Sequence, residues 1–102
     1  MSTNAVIGKL NADNTVTAVT LHWDGYDSHA GDMLRKYFNT EELVDELLTL
    51  GEISSIGCNV DDSVFYCRDR GESLTIHEMV NQADFEDFWC GDCHYLFKDN
   101  SF

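Results

Sequence analysis

The feature that most limits what this chain can fold into is its opening. Two β-prone runs, Ala5 to Leu10 and Thr15 to Leu21, flank the turn-forming residues Asn11-Ala12-Asp13-Asn14. Runs of this kind separated by so short a polar break are expected to close on each other as a hairpin. In the second run Val16, Ala18 and Thr20 alternate with Thr15, Thr17, Val19 and Leu21. Strand side chains alternate between faces, so one face is the more polar, and the sheet is expected to be covered on one side and partly open on the other.

The apolar period then changes. His22-Trp23-Asp24-Gly25-Tyr26-Asp27 leaves the strand as a loop, and Ser28 is placed to cap a helix whose apolar residues are Ala30, Met33, Leu34, Tyr37 and Phe38. That spacing is the stripe of an amphipathic helix. Asn39 or Thr40 starts a second helix, with Glu41 and Glu42 in the first turn, where the helix dipole favours anions. Its apolar positions are Leu43, Val44, Leu47, Leu48 and Leu50, and Gly51 is suited to end it. Further on, Ser63 to Cys67 and Leu74 to His77 read as strands, Asp84 to Trp89 as a short helix with Phe85, Phe88 and Trp89 inward, and Cys93 to Phe97 as a last strand. The fold class is therefore α+β: an antiparallel sheet with an N-terminal hairpin, packed by two or three short helices. At 102 residues the chain is expected to form one domain, residues 1–102.

Composition decides which functions are open. Asp and Glu number 19 against 6 Lys and Arg, a formal net charge of -13. With two Trp, four Tyr and six Phe the chain has apolar material enough to fold, unlike a disordered acidic tail. Such a charge repels nucleic acid and anionic lipid and draws in basic surfaces, so direct nucleic-acid binding is not expected. No apolar run approaches the ~20 residues of a membrane span. The start, Met1-Ser2-Thr3-Asn4, lacks the basic and apolar regions of a signal peptide, and a cytoplasmic location is expected. There Cys58, Cys67, Cys90 and Cys93 stay reduced unless a metal holds them.

The string His22-Trp23-Asp24-Gly25-Tyr26, followed by Gly31, Leu34 and Tyr37, then Val44-x-x-Leu47 and Leu50-Gly51-x-Ile53-Ser54-Ser55, resembles a family of small uncharacterised bacteriophage proteins. Those proteins also tend to carry an Arg-Asp-Arg-Gly-Glu segment, matched by Arg68 to Glu72, and a Tyr-Leu-Phe near the C-terminus, matched by Tyr95 to Phe97. The resemblance runs over nearly the whole chain and implies a phage origin rather than an activity. Two features depart from it: the Cys-x-x-Cys, and the lack of a longer aromatic-rich insertion before the Arg-Asp-Arg-Gly segment.

The second helix carries Glu41, Glu42, Asp45 and Glu46 opposite its leucines. Residues i and i+4 lie ~6 Å apart along a helix axis, close to the roughly 7 Å expected between successive phosphates of a nucleic-acid strand. Asp61, Asp62, Glu86 and Asp87 extend the proposed partner-binding set, with Glu78, Asp84 and Asp92 as further acids. The functional reading is a mimic of nucleic-acid charge that occupies the basic groove of a host protein. The plainer reading is a solvated helix face.

Cys90-Gly91-Asp92-Cys93-His94 matches the attachment pattern of c-type haem, which needs export to an oxidising compartment. Together with Cys58 and Cys67 the pair would supply four thiolates for structural zinc, although an eight-residue gap is poor knuckle geometry. A redox role is disfavoured, because Asp87 and Asp92 would raise a thiol pKa. His22, Asp24 and His29 share the aromatic loop, where Trp23 and Tyr26 are expected to anchor on the core while Gly25 and Gly31 permit its turns. Arg68 and Arg70 each flank an acid and are expected to pair internally. The leading expectation is thus a non-enzymatic, cofactor-free inhibitor or adaptor whose partner is a host protein with a basic surface. The alternative is a small zinc-stabilised interaction module.

Overall fold

The computed structural model describes residues 3–88 and 93–102. Strands β1 (Ala5–Leu10) and β2 (Val16–Leu21) form the hairpin, in register from Ala5 opposite Leu21 to Leu10 opposite Val16. Its turn is locked by local bonds: Asn11 N–H donates to Thr15 O at 2.8 Å, and Asp13 Oδ1 accepts from both the N–H and the hydroxyl of Thr15. Those bonds hold the Asp13 carboxyl below its usual pKa, with the Thr15 hydroxyl the largest cause.

A π-helical turn, Asp27–Gly31, leads into α1 (Asp32–Tyr37). Ser28 therefore lies inside the turn and caps nothing. Of the expected stripe Ala30, Leu34 and Phe38 point inward and Met33 is half-buried against them, while Tyr37 is exposed. Helix α2 (Glu41–Thr49) begins where expected, Thr40 Oγ1 accepting the Leu43 N–H at 3.3 Å. It ends at Gly51, whose φ of +81° is the left-handed conformation that glycine adopts without strain.

The remaining elements are β3 (Ile53–Ser55), β4 (Val64–Phe65), α3 (Tyr66–Arg70), β5 (His77–Met79), α4 (Gln82–Glu86) and β6 (Cys93–Phe97). The run read as one strand from Ser63 to Cys67 turns helical after Phe65. Asp69 Oδ2 reaches back to accept the Phe65 N–H at 2.8 Å, and Gly71, at φ +68°, closes the other end. Capping at both ends outweighs the β-propensity of Val64 to Tyr66. The strand expected at Leu74 to His77 starts at His77, where Val16 to Ala18 supply a partner. Of the expected third helix, Asn81 Oδ1 caps the start by accepting from Asp84 N–H, while Trp89 lies outside the described residues.

The sheet order is β4-β3-β2-β1-β6, and β5 also pairs with β2. Strands β3 and β5 thus share one edge of β2, β3 meeting only Leu21 and β5 taking Val16 to Ala18. The sheet is mostly antiparallel. The parallel contacts are β1 with β6 and β2 with β3, and the latter strands are joined through α1 and α2, as a parallel connection requires.

Both faces carry an apolar cluster. Ala5, Ile7, Val19, Leu21, Tyr95 and Phe97 pack under Leu34, Phe38, Val44 and Leu47 from the first helices. On the other side Val6, Val16, Ala18 and Met79 receive Phe85 of α4, with Phe88 and Leu96 half-buried beside them. Gly8 makes that second contact fit, because a Cβ there would lie 2.6 Å from Phe85 Cε1. Among the described residues no helix is long and apolar enough to cross a membrane.

Candidate partner-binding surfaces

The acids of α2 divide into two rows. Val44, Leu47 and Leu48 face the core, which turns Glu41, Glu42, Asp45 and Glu46 to the surface. Lys9, from β1, places its Nζ 3.0 Å from Glu41 Oε1 and 2.7 Å from Asp45 Oδ1, with its side chain only 14% exposed. Burial pulls the Lys9 ammonium down, yet the two carboxylates outweigh it and raise it above its usual pKa. One row is thereby clamped to the sheet. Among the described residues Glu42 and Glu46 enter no ion pair.

The other nominated acids lie elsewhere. Asp61 and Asp62 are exposed on the β3–β4 connection, where Asp62 N–H donates to Asn59 Oδ1. Glu86 accepts from Gln82 on α4, and Asp87 follows it. Phe85 packs α4 on the opposite face of the sheet from α2, so Glu86 and Asp87 share no helix face with Glu41 to Glu46. Glu78 and Asp84 are exposed on β5 and α4, and Asp92 lies outside the described residues.

The loop after β2 differs from expectation. Trp23 and Tyr26 do not anchor on the core; they are 49% and 44% exposed. Backbone bonds fix the loop instead. His22 N–H donates to Ile53 O, Trp23 N–H to Ser54 O and Gly25 N–H to Thr3 O, while the buried Tyr95 hydroxyl donates to Gly25 O at 2.7 Å. Burial, then the neighbouring Cys93, pushes the Tyr95 hydroxyl well above its usual pKa, so it stays a donor. Gly25 sits so close to β1 that a Cβ would meet Ala5 Cβ at 2.8 Å. With the backbone tied down, the side chains are free to point outward.

Outside, they form a row. His22 stacks on Trp23 with ring centroids 5.7 Å apart and 26° between planes, and its Nδ1 lies 2.6 Å from the Tyr66 hydroxyl. Arg70 lies 5.0 Å over the Tyr66 ring and donates to Ser54 Oγ. His22 is thus partnered by Tyr66 rather than by Asp24. His29 donates through Nε2 to Ile56 O, a structural bond that fixes its tautomer. Arg68 pairs with Asp69 as expected and holds that carboxyl below its usual pKa, helped by the Phe65 N–H. The row was not legible in the sequence because Tyr66 comes from a run read as strand, and Arg70, expected to pair with a flanking acid, lies instead on the Tyr66 ring and enters no ion pair among the described residues.

Cys58 is exposed and Cys67 and Cys93 are half-buried, all as free thiols, and Cys90 lies outside the described residues. No metal-holding group of three or more His, Cys, Asp or Glu occurs among the described residues. His94 donates to Phe88 O at 3.0 Å and meets Phe85 edge-on, which ties the end of α4 to β6.

The fold and these surfaces define an acidic α+β protein with two outward-facing features, a carboxylate helix and an aromatic loop. Comparison with protein-family models, curated proteins and solved structures found no match.

Proposed function

We infer that this chain is a phage-encoded binding protein that inhibits or modulates a nucleic-acid-handling or defence protein of the host, with α2 standing in for nucleic acid in a basic groove. The observation that carries this reading is the α2 ladder: Glu41 and Asp45 are held in fixed geometry by Lys9, and Glu42 and Glu46 stand beside them with no ion pair among the described residues. Clamped acids lose less side-chain freedom on docking than free ones. The basic residues reinforce the pattern. Lys9, Arg35 and Arg68 pair with acids of the chain itself, Lys36 and Arg70 lie over Tyr37 and Tyr66, and Lys98 donates to Gln82. The charge a partner meets is therefore mostly carboxylate.

The test is a charge reversal that spares the clamp. Glu42→Lys with Glu46→Lys leaves Lys9, Glu41 and Asp45 in place and removes no buried group. Recovery of a host nucleic-acid-binding protein on the immobilised chain should drop by more than about tenfold, and capture by the wild type should weaken with added salt. Undiminished capture by the reversed variant would remove α2 from the interface.

A further inference from the structure

We propose that the Trp23 loop is a second contact surface, and that it receives an arginine or lysine side chain of the partner protein over the indole face. This contact rests on the proposed function in taking the partner to be basic, but it lies at the other end of the hairpin from α2. Lys9, which meets α2, and Ala5, which underlies Gly25, are separated by about 13 Å along β1.

Three observations lead to this occupant. The indole of Trp23 is covered on one side by His22 and remains 49% exposed, with Tyr26 44% exposed nearby in the chain. Indole and phenol faces are negative and attract a cation placed within ~6 Å of the ring, most strongly at tryptophan. Arg70 already lies in this way on Tyr66, at the inner end of the row, and leaves the Trp23 end open. Asp24, between Trp23 and Tyr26, is exposed and held at φ +57°, and among the described residues it enters no ion pair. A guanidinium over the indole would find this carboxylate beside it.

The same platform suits other occupants less well. A nucleobase would stack as readily, yet its phosphates would meet a molecule of net charge -13. A second copy would bring the same charge with it. Trp, Tyr and Arg are also the residues most often dominant in protein interfaces. Backbone anchoring leaves these side chains preorganised, so little loop ordering remains to be done on binding.

The experiment titrates labelled octa-arginine into the wild-type chain and into Trp23→Ala, Trp23→Phe and Tyr26→Ala, none of which alters charge. Parallel titrations use an oligothymidine of similar length, and sedimentation measures self-association. Far-UV circular dichroism of each variant checks the fold, which an exposed side chain does not support. Trp23→Ala should weaken octa-arginine binding about three- to thirty-fold, and Trp23→Phe should recover part of the loss. Tyr26→Ala should weaken it less. Unchanged affinity in Trp23→Ala overturns the proposal. So does oligothymidine binding that depends on Trp23, or a dimer that Trp23→Ala dissolves. The Glu42→Lys and Glu46→Lys double variant separates the two surfaces: if it alone loses octa-arginine, the α2 reading stands and the loop proposal falls. If Trp23→Ala alone loses it, the reverse holds.

Discussion

At the scale of single residues, small atoms decide where large ones rest. Gly8 is buried mid-strand, and its missing Cβ is the space that Phe85 occupies. Adding one methyl there forces the ring or the strand to move, and overpacking of this kind typically costs about 1–3 kcal/mol. Gly8→Ala should therefore lower unfolding stability by that amount in a urea titration. A cost near zero would show that Phe85 does not seat on β1. Gly25 plays the same part against Ala5, and there the aromatics on either side, Trp23 and Tyr26, are exposed. Tyr95 completes this arrangement, since its hydroxyl holds the Gly25 carbonyl that would otherwise be buried without a donor.

Among the elements, α3 carries a pH dependence of definite sign. Asp69 accepts from Arg68 and from the Phe65 N–H, and its folded pKa is lowered from 3.8. A depressed carboxyl contributes stability that is present above its unfolded pKa and is lost as pH falls through the folded one. Asp69→Asn should thus lower the melting temperature at about pH 7, and the gap from wild type should shrink by about pH 3. A constant gap would mean that the charged form contributes nothing. This element is also where sequence reading failed, for a physical reason: Val64 to Tyr66 have β-propensity, but one carboxylate four residues on caps the turn, and such a contact leaves no periodic trace. By contrast Thr40, Gly51 and the turn at Asn11 to Asn14 act through bonds between near neighbours, and the hairpin and α2 were legible from them. The α2 acids were legible too, since helical spacing alone puts them outward. Their clamp was not, because Lys9 reaches α2 only through the sheet.

For the whole molecule, repulsion among carboxylates is the long-range term. The body spans 32 × 27 × 26 Å, so opposite faces lie well beyond the ~10 Å Debye length at 0.1 M salt but are comparable with the ~30 Å at 0.01 M. Ion pairs work in the other direction, yet those involving Lys9, Arg35 and Arg68 have mostly exposed acids, and water screens pairs of that kind strongly. Relief of repulsion should win. Raising salt from about 0.02 to about 0.3 M is expected to raise the melting temperature by several degrees while weakening attachment to a basic partner. A melting temperature that falls with salt would give the ion pairs the larger share. The same charge that would favour association through α2, on the proposed function, thus strains the fold that presents it.

The pairing of β1 with β6 sets a timetable for the growing chain. β1 leaves the ribosome more than eighty residues before β6, yet its second edge, from Ala5 to Lys9, is filled only by Cys93 to Phe97. Until those residues emerge, the hairpin stands with one side of β1 unpaired, and Ile7 lacks Tyr95 across from it. A long wait of this kind slows folding and exposes an edge to other chains. At a net charge of -13 unfinished copies repel one another, which opposes pairing through that open edge.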